Sequence, residues 1–381
     1  MFYLKIYIKK ILNKLYYVKG KYKYKIILID DIMPSVLSPW RSNEYNDICR
    51  EFENVMVLTN QSEYHKYDNG NSYYENIKLL SKDYYFLSKS IRPLNLFTNI
   101  NTQLIYFVFY KNVSQYFDII ERKRLNFAFT LYPGGGFNIN CKATEKRLTL
   151  ICNSIYFKGL IVNQYHVKKY LINNNICEEK NINLIPGVPI NLFNRVSYNI
   201  IKDTNKLKLL FFANKYCDHG MDKGFDTFIE VAKILSTKNL NIEFHVIGSF
   251  SKKDLHDEKQ HYKIFFHGSL SENSYFKILA ETHIILSPNR PFILNKFGFD
   301  GFPLSTCVDA SLFSNLIMAT DYFDEASSMN LINNIDFIKI NNDEIKICQR
   351  IIELYNDAVL LKTIANNGKQ KISKIYSYDN Q

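Results

Sequence analysis

The chain of 381 residues contains 46% hydrophobic and 22% charged residues, and it has no run of 18 uncharged apolar residues. These values exclude a disordered chain and a membrane-spanning segment, and the length suits two domains of roughly 150 to 200 residues each. The seven cysteines are scattered, without a CxxC pair or a secretory leader. This pattern favours the reducing cytoplasm and provides no cluster for a structural metal.

The net charge of +11 suggests a nucleic-acid partner, but the distribution of the charge argues against one. Residues 1–25 hold eight lysines and no acid, so the positive charge is local. Within residues 1–20, apolar side chains recur at the spacing of one helical face: Leu4, Ile8, Ile11, Leu15 and Val18. Such a segment is typical of a helix on an anionic membrane surface and equally of a helix packed on the protein body.

From residue 21 onward, short apolar runs alternate with stretches that suit helices, as at 42–53 and 114–123. The run "KYKIILIDDIMP" (23–34) ends in acids and proline, which is typical of a buried parallel strand entering a loop. Further strands are predicted at NVMVLTN, LIYFVFY, NFAFTLYPGGG, GLIVNQ and NINLIPGVP. We place an interdomain linker in the polar segment 194–206.

A second series of strands is predicted after the linker, at 207–215, 241–249, 263–269, 282–289 and 315–321, with a helix at 224–238. The alternation predicts an α/β fold with a basic amphipathic segment at 1–20 and two Rossmann-like, doubly wound parallel-sheet domains at 21–200 and 201–381. We expect the last helix to cross back to the N-terminal lobe. Two such domains would face each other across a cleft, at the carboxyl ends of their strands.

Four ordered segments within residues 207–325 resemble retaining family-four glycosyltransferases of the GT-B fold: FFANKYCDHGMDKGFDTFIEVA, FHVIGS, ETHIILSPN and DGFPLSTCVDA. In the N-terminal half, LSPWRSNEY (37–45) resembles the first acceptor-side loop, FTLYPGGGF (129–137) the loop facing the donor, and LIPGVPI (184–190) the strand end before the linker. The resemblance implies a hexosyltransferase that moves a sugar, with retained configuration, from a nucleoside-diphosphate-sugar to a surface glycan or lipid-linked acceptor. Lipopolysaccharide or capsule biosynthesis is the implied setting.

The resemblance assigns the donor site to residues 300–310. Asp300 would accept hydrogen bonds from the donor sugar, and Asp309 would bind the ribose hydroxyls. The turn between them would lead into a helix, and the free N–H groups that cradle the diphosphate would lie from about residue 301 to residue 305. These residues are Gly301, Phe302, Pro303, Leu304 and Ser305.

The spacing of these acids departs from the family pattern, which has two glutamates eight residues apart. Here two aspartates are nine apart, and the family register would place Val308 at the second position. Because valine cannot accept a hydrogen bond, we choose Asp309 and expect a local bulge. The alternative is that Asp300 is a turn residue and Asp309 a charge on the helix surface.

Lys223 precedes Gly224 at a predicted helix start, where it would act as a cation on the leaving diphosphate. Asn214 and Lys215 are further candidates, and the choice between them stays open.

Four residues of the N-terminal half are further candidates for substrate binding. Gly135 and Gly136 would let the backbone approach a ligand closely. Tyr132 stands near the place where the family has a histidine on the donor sugar, with a tyrosine of the core or of the site's rim as the alternative. Arg41 would bind an acidic acceptor or a donor phosphate, with a surface role as the alternative.

The chain contains no Asp-x-Asp triplet, the motif of the metal-dependent glycosyltransferases of another fold. We therefore predict metal-independent transfer. The prediction includes no cofactor, no nucleic-acid partner and a cytoplasmic location, with attachment to an anionic membrane as one of the two interpretations of residues 1–20. Two alternatives stay open. One is a GT-B-fold epimerase or hydrolase of sugar nucleotides, and the other is a catalytically silent sugar-nucleotide-binding partner.

Overall fold

The computed structural model describes residues 2–15, 22–66, 68, 70–95, 100–187, 198–200, 202–203, 205–255 and 262–377. The chain divides into two compact units, Met1–Ile190 together with Tyr376–Gln381, and Asn191–Ile375. Parts of three predicted features lie outside the described residues: Val18 of the first helix, positions 188–190 of the strand end, and 194–197, 201 and 204 of the linker.

The first unit is built on a seven-stranded, all-parallel sheet in the order β3-β2-β1-β4-β5-β6-β7. Its strands are β1 (Tyr24–Asp30), β2 (Val55–Thr59), β3 (Ile91–Pro93), β4 (Thr102–Val108), β5 (Phe127–Leu131), β6 (Phe157–Val162) and β7 (Ile182–Leu184). The continuous apolar runs of β1 and β4 are buried, as expected when helices cover both faces of a parallel sheet. The strand order reverses between β1 and β4, so a topological switch point lies there.

The helices of the first unit are α1 (Phe2–Lys14), α2 (Pro39–Glu51), α3 (Tyr73–Asp83), α4 (Tyr85–Ser90), α5 (Tyr110–Lys123), α6 (Lys142–Cys152) and α7 (Tyr165–Asn173). In α1, Leu4, Ile8, Ile11 and Leu12 are buried in the core of this unit. Lys5 and Lys9 on the same helix form ion pairs with Glu51, at 3.2 and 2.7 Å. The apolar stripe is therefore used in packing on the protein body.

The second unit has a six-stranded, all-parallel sheet in the order β10-β9-β8-β11-β12-β13. The strands are β8 (Leu207–Phe212), β9 (Ile242–Ile247), β10 (Ile264–Phe266), β11 (Ile284–Ser287), β12 (Leu316–Ala319) and β13 (Ile338–Lys339). The helices are α8 (Phe225–Ser236), α9 (Glu272–Glu281), α10 (Ser305–Leu312), α11 (Glu325–Ser328), α12 (Glu344–Asn356) and α13 (Ala358–Ile375). Two parallel-sheet α/β units confirm the predicted fold class.

The core of the second unit lies between its sheet and the flanking helices. In α8 the buried residues Phe225, Phe228, Val231, Ala232 and Leu235 follow the helical spacing that the sequence predicts. The order of the strands reverses between β8 and β11. Loops that follow these two strands at their carboxyl ends are therefore brought together.

Candidate functional site

The switch point of the second unit gathers several of the predicted donor-site residues. Asn214 and Lys215 lie in the loop after β8, and Lys223 ends a short 3-10 turn, Asp218–Lys223, just before α8. Asp300 lies in the loop between β11 and α10. Since β8 and β11 are neighbours in the sheet, the segments that carry Lys223 and Asp300 meet.

Lys223 and Asp300 form a direct ion pair. The Lys223 Nζ donates to Asp300 Oδ2 at 2.5 Å, and the lysine side chain is 7% exposed against 34% for the aspartate. A second carboxylate, Asp222 Oδ2, lies 3.9 Å from the same Nζ. The structure thus brings together the two residues for which the sequence predicts a catalytic role.

Gly224 fixes the position of Lys223 beside the loop that follows β11. Its φ of 71° lies in the left-handed region, and a Cβ at this position would be 2.1 Å from the carbonyl oxygen of Pro288. Only glycine combines this backbone conformation with such a close approach. The start of α8 is therefore held directly against the segment that leads to Asp300.

Arg290 joins the same two segments, and the sequence alone did not indicate it. Its backbone N–H donates to the Asp222 carbonyl at 2.9 Å, its Nε donates to the Met221 carbonyl at 3.0 Å, and its guanidinium pairs with Asp226. A single arginine in a polar loop carries no periodic signal, so a sequence pattern does not separate it from a surface charge.

The predicted phosphate cradle begins later than the sequence suggested. Residues Gly301 to Leu304 form the loop before α10. The buried Phe302 side chain packs against Phe337, with 5.3 Å between the centres of the two rings. Because Ser305 is the first residue of α10, the first-turn N–H groups, which a helix cannot satisfy itself, belong to residues 305–307. These groups and the positive end of the helix suit an anion.

Asp309 is buried within α10 and is 6% exposed. Tyr275 of α9 donates a hydrogen bond from its hydroxyl to Asp309 Oδ2 at 2.8 Å. This burial contradicts the alternative of a surface charge. The helix is continuous over Ser305–Leu312, so the expected bulge does not occur within it, and Val308 is fully buried.

The loop after β8 directs Lys215 toward Asp254. The Lys215 Nζ donates to Asp254 Oδ1 at 2.7 Å, and its backbone N–H donates to Ser249 Oγ at 3.0 Å. Burial alone would raise the pKa of Asp254, but the hydrogen bond from Lys215 and those from Ser251 outweigh it and lower this pKa. Asn214 is exposed beside it.

In the first unit, Arg41 is a buried member of an ion-pair cluster. It donates to Asp30 Oδ2 at 2.9 Å and to Asp31 Oδ1 at 2.7 Å, and Tyr45 donates to Asp30 at 2.7 Å. Arg41 is only 6% exposed, which contradicts the alternative of a surface arginine. Two carboxylates already compensate its charge.

Tyr132 lies in the same cluster and is buried. Its hydroxyl donates to Glu44 Oε2 at 3.2 Å, and Tyr106 donates to Glu44 Oε1 at 2.6 Å. Burial raises the pKa of Glu44 to about 7, although the two tyrosine hydrogen bonds favour its ionised form. Nothing in the sequence around Glu44 indicated a buried acid.

The glycine loop 134–136 turns with positive φ at each residue. The Lys111 N–H donates to the Gly135 carbonyl at 2.9 Å, and a Cβ on Gly135 would lie 2.2 Å from the Phe109 ring. The close approach that the sequence predicts is therefore made to Phe109, a protein side chain at the start of α5.

Within the described part of the chain, no three His, Cys, Asp or Glu side chains are arranged to hold a metal ion. Over those same residues, no helix combines the length and apolar composition needed to cross a bilayer.

Neither a protein-family model nor a curated protein matches the sequence. Solved structures are similar to it in fold. HepE of Anabaena, in complex with UDP and glucose, shares 11% identity with a TM-score of 0.66, over 93% of this chain and 96% of HepE. A glycosyltransferase from Rickettsia africae shares 15% identity with a TM-score of 0.64, over 94% and 96% of the two chains.

TarM shares 18% identity with a TM-score of 0.55, over 73% of this chain and 52% of TarM, so the chain spans about half the length of that protein. A variant of S. aureus TarM has been crystallised with UDP and α-GlcNAc-glycerol. This chain has the GT-B fold. At these identities the GT-B similarity establishes the architecture of the two units and not the reaction.

Proposed function

We propose that this chain is a glycosyltransferase that uses a nucleoside-diphosphate-sugar as its donor. The observation that carries the proposal is the meeting of Lys223 and Asp300 at the switch point of the second unit. In open α/β sheets this is where ligands bind. The UDP bound by HepE and by the TarM variant supports the same donor class for a chain of this fold.

Each group of the site matches one part of such a donor. Lys223 would stabilise the charge that grows on the diphosphate as the bond to the anomeric carbon breaks, with help from the first-turn N–H groups of α10. Asp300 would accept hydrogen bonds from the sugar hydroxyls. Asp309, held by Tyr275, would accept hydrogen bonds from the ribose. The anomeric carbon then bonds to the acceptor oxygen, and the acceptor proton leaves with the nucleoside diphosphate.

The finer features of the reaction rest on the family resemblance of the four sequence segments. We propose retention of the anomeric configuration, hexosyl transfer without a metal ion, and an acceptor that is a lipopolysaccharide, capsule or other lipid-linked glycan. Lys223 supplies the cation that a metal provides in other enzymes. The enzyme would act on the cytoplasmic side. Contact with an anionic membrane would use exposed lysines of α1 such as Lys10, because the apolar stripe of that helix is buried.

A catalytically silent binding partner is the second candidate. It is favoured by Tyr132, which stands near the place of the family's sugar-binding histidine yet directs its hydroxyl to buried Glu44. Such a protein would bind the donor and turn over none of it. An epimerase or hydrolase would instead convert the sugar nucleotide without any acceptor.

The experiment measures the melting temperature of the wild type and of Asp309→Ala with millimolar UDP, GDP, ADP and CDP. A ligand at a hundredfold excess over its Kd stabilises the native state by about 2.7 kcal/mol. We expect one nucleotide to raise the melting temperature of the wild type and to have a smaller effect on the variant. No rise with any of the four would refute the proposal.

With the matching sugar nucleotide, release of nucleoside diphosphate is then followed with and without a glycolipid extract. Release that requires the extract identifies a transferase. Release without it identifies a hydrolase, and binding without turnover identifies the silent partner.

A further inference from the structure

The ion pair between Lys223 and Asp300 joins two residues that the proposed reaction needs separately. Lys223 is to bind the diphosphate and Asp300 the sugar, yet here the ammonium donates directly to the carboxylate at 2.5 Å. Since Asp222 lies 3.9 Å from the same Nζ, two carboxylates already surround one buried positive charge. An arriving diphosphate therefore meets a lysine whose charge is compensated.

One of the two carboxylates is fixed by other contacts. Asp222 is 4% exposed, its Oδ1 accepts a hydrogen bond from Cys217 Sγ at 3.0 Å, and its carbonyl accepts the Arg290 N–H. The Asp300 side chain is 34% exposed and lies in a loop between β11 and α10. Asp300 is therefore the partner of Lys223 that solvent and ligand can reach.

We infer that Asp300 competes with the diphosphate for Lys223: the ion pair opens when the donor binds and re-forms when the nucleoside diphosphate leaves. The inference rests on the proposed function. An ammonium group has three N–H donors, but a carboxylate in contact with it lowers its attraction for a further anion. The competition is thus electrostatic and local.

The competition distinguishes the donor from the product. A bound sugar nucleotide offers its sugar hydroxyls to Asp300, which compensates that carboxylate for the loss of Lys223. The nucleoside diphosphate left after transfer has no sugar, so Asp300 keeps a partner only by returning to the lysine. Asp300 would therefore favour release of the product in addition to binding the donor sugar.

The test is a set of binding constants for UDP, ADP, GDP and CDP and for the matching monophosphates, measured by calorimetry. Asp300→Asn removes the charge and keeps an oxygen acceptor for sugar hydroxyls. We expect it to bind the preferred diphosphate about tenfold more tightly than the wild type, which equals about 1.4 kcal/mol. Binding of the sugar nucleotide should change less than that of the free diphosphate, and binding of the monophosphate should stay within about twofold.

Two further variants isolate the contact. Asp324→Asn makes the same change of net charge at an exposed carboxylate that pairs with Lys339 at 3.3 Å. It should leave diphosphate binding within about twofold. Lys223→Gln should weaken diphosphate binding, and Asp300→Asn should have no further effect in that background. Circular dichroism confirms that each variant is folded, with Asp300→Ser as a replacement for an unfolded Asp300→Asn.

The possible failures are distinguishable. If Lys223→Gln weakens diphosphate binding but Asp300→Asn does not tighten it, the competition is refuted and the proposed function stands. Equal tightening by Asp300→Asn and Asp324→Asn would refute it as well, because the effect would then be one of net charge. If no diphosphate binds the wild type, the proposed function fails first.

Discussion

At the scale of single residues, Glu44 is a carboxyl group placed where ionisation is unfavourable. It is fully buried in the first unit beside Tyr106 and Tyr132, and it interacts electrostatically with Arg41 and Asp30. Burial raises its pKa from 4.5 to about 7. In the folded protein Glu44 therefore retains its proton to a higher pH than in the unfolded chain.

This difference makes stability depend on pH. Between about pH 4.5 and 7 the folded state binds more protons than the unfolded state. The contribution of Glu44 to the free energy of unfolding is therefore fully present below pH 4.5 and is lost as the pH rises to about 7. Between pH 5 and pH 8 we expect the free energy of unfolding of the wild type to fall by about 1 to 3 kcal/mol because of Glu44, and we expect Glu44→Gln to remove this decline. Urea denaturation of both proteins at the two pH values measures the difference.

The exposed Glu53 supplies the control, since Glu53→Gln should leave the decline unchanged. An identical decline in wild type and Glu44→Gln would show that other groups cause it.

At the scale of elements, the start of α8 and the loop after β11 are joined at Gly224. The close approach to the Pro288 carbonyl leaves no room for a side chain, and φ is 71°. Lys223, one residue earlier, depends on this contact for its place beside Asp300. The geometry of the site is thus set by packing between two loops.

We expect Gly224→Ala to destabilise the protein by about 2 to 4 kcal/mol, from the positive φ and from the steric overlap together. Gly268→Ala is the matched control, because Gly268 has φ 68° but no atom within 4 Å of an added Cβ. Only the conformational cost of about 1 kcal/mol should remain there. Chemical denaturation compares the two, and equal losses would contradict the role of the Pro288 contact.

At the scale of the whole molecule, each of the two units has its own parallel sheet and its own buried core. All donor-site residues proposed around Lys223 belong to the second unit. We expect calorimetry to resolve two unfolding transitions, with a bound nucleoside diphosphate raising only the transition of the second unit.

Two variants assign the transitions. Ile8→Ala, in the core of the first unit, should lower one transition, and Gly224→Ala should lower the other. A nucleotide that raises the transition lowered by Ile8→Ala would place its site in the first unit instead.

The sequence predicted the architecture well where the physical signal is repeated along the chain. Continuous apolar runs identify eleven of the strands, because burial on both faces requires such runs. The two-residue β13 is too short to show one, and β3 has the sequence Ile-Arg-Pro, in which an arginine and a proline follow a single apolar residue. The family resemblance of four ordered segments assigns both Lys223 and Asp300 to a donor site, but the sequence did not predict the ion pair between them.

The remaining contacts of the site depend on tertiary structure. Arg290, Asp222 and Glu44 are single polar residues, and only the fold decides which of them is buried and which partner it meets. Arg41 shows the same limit, since its two carboxylate partners lie ten and eleven positions earlier and approach it through the turn into α2.

The contacts between the two loops also matter for protein engineering. The packing of Gly224 on Pro288 and the three contacts of Arg290 hold residues 221–226 and 288–290 together as one structural unit. Replacing either loop alone with that of another GT-B protein would remove these contacts. A donor-specificity exchange in this chain should therefore transplant both segments as a single cassette.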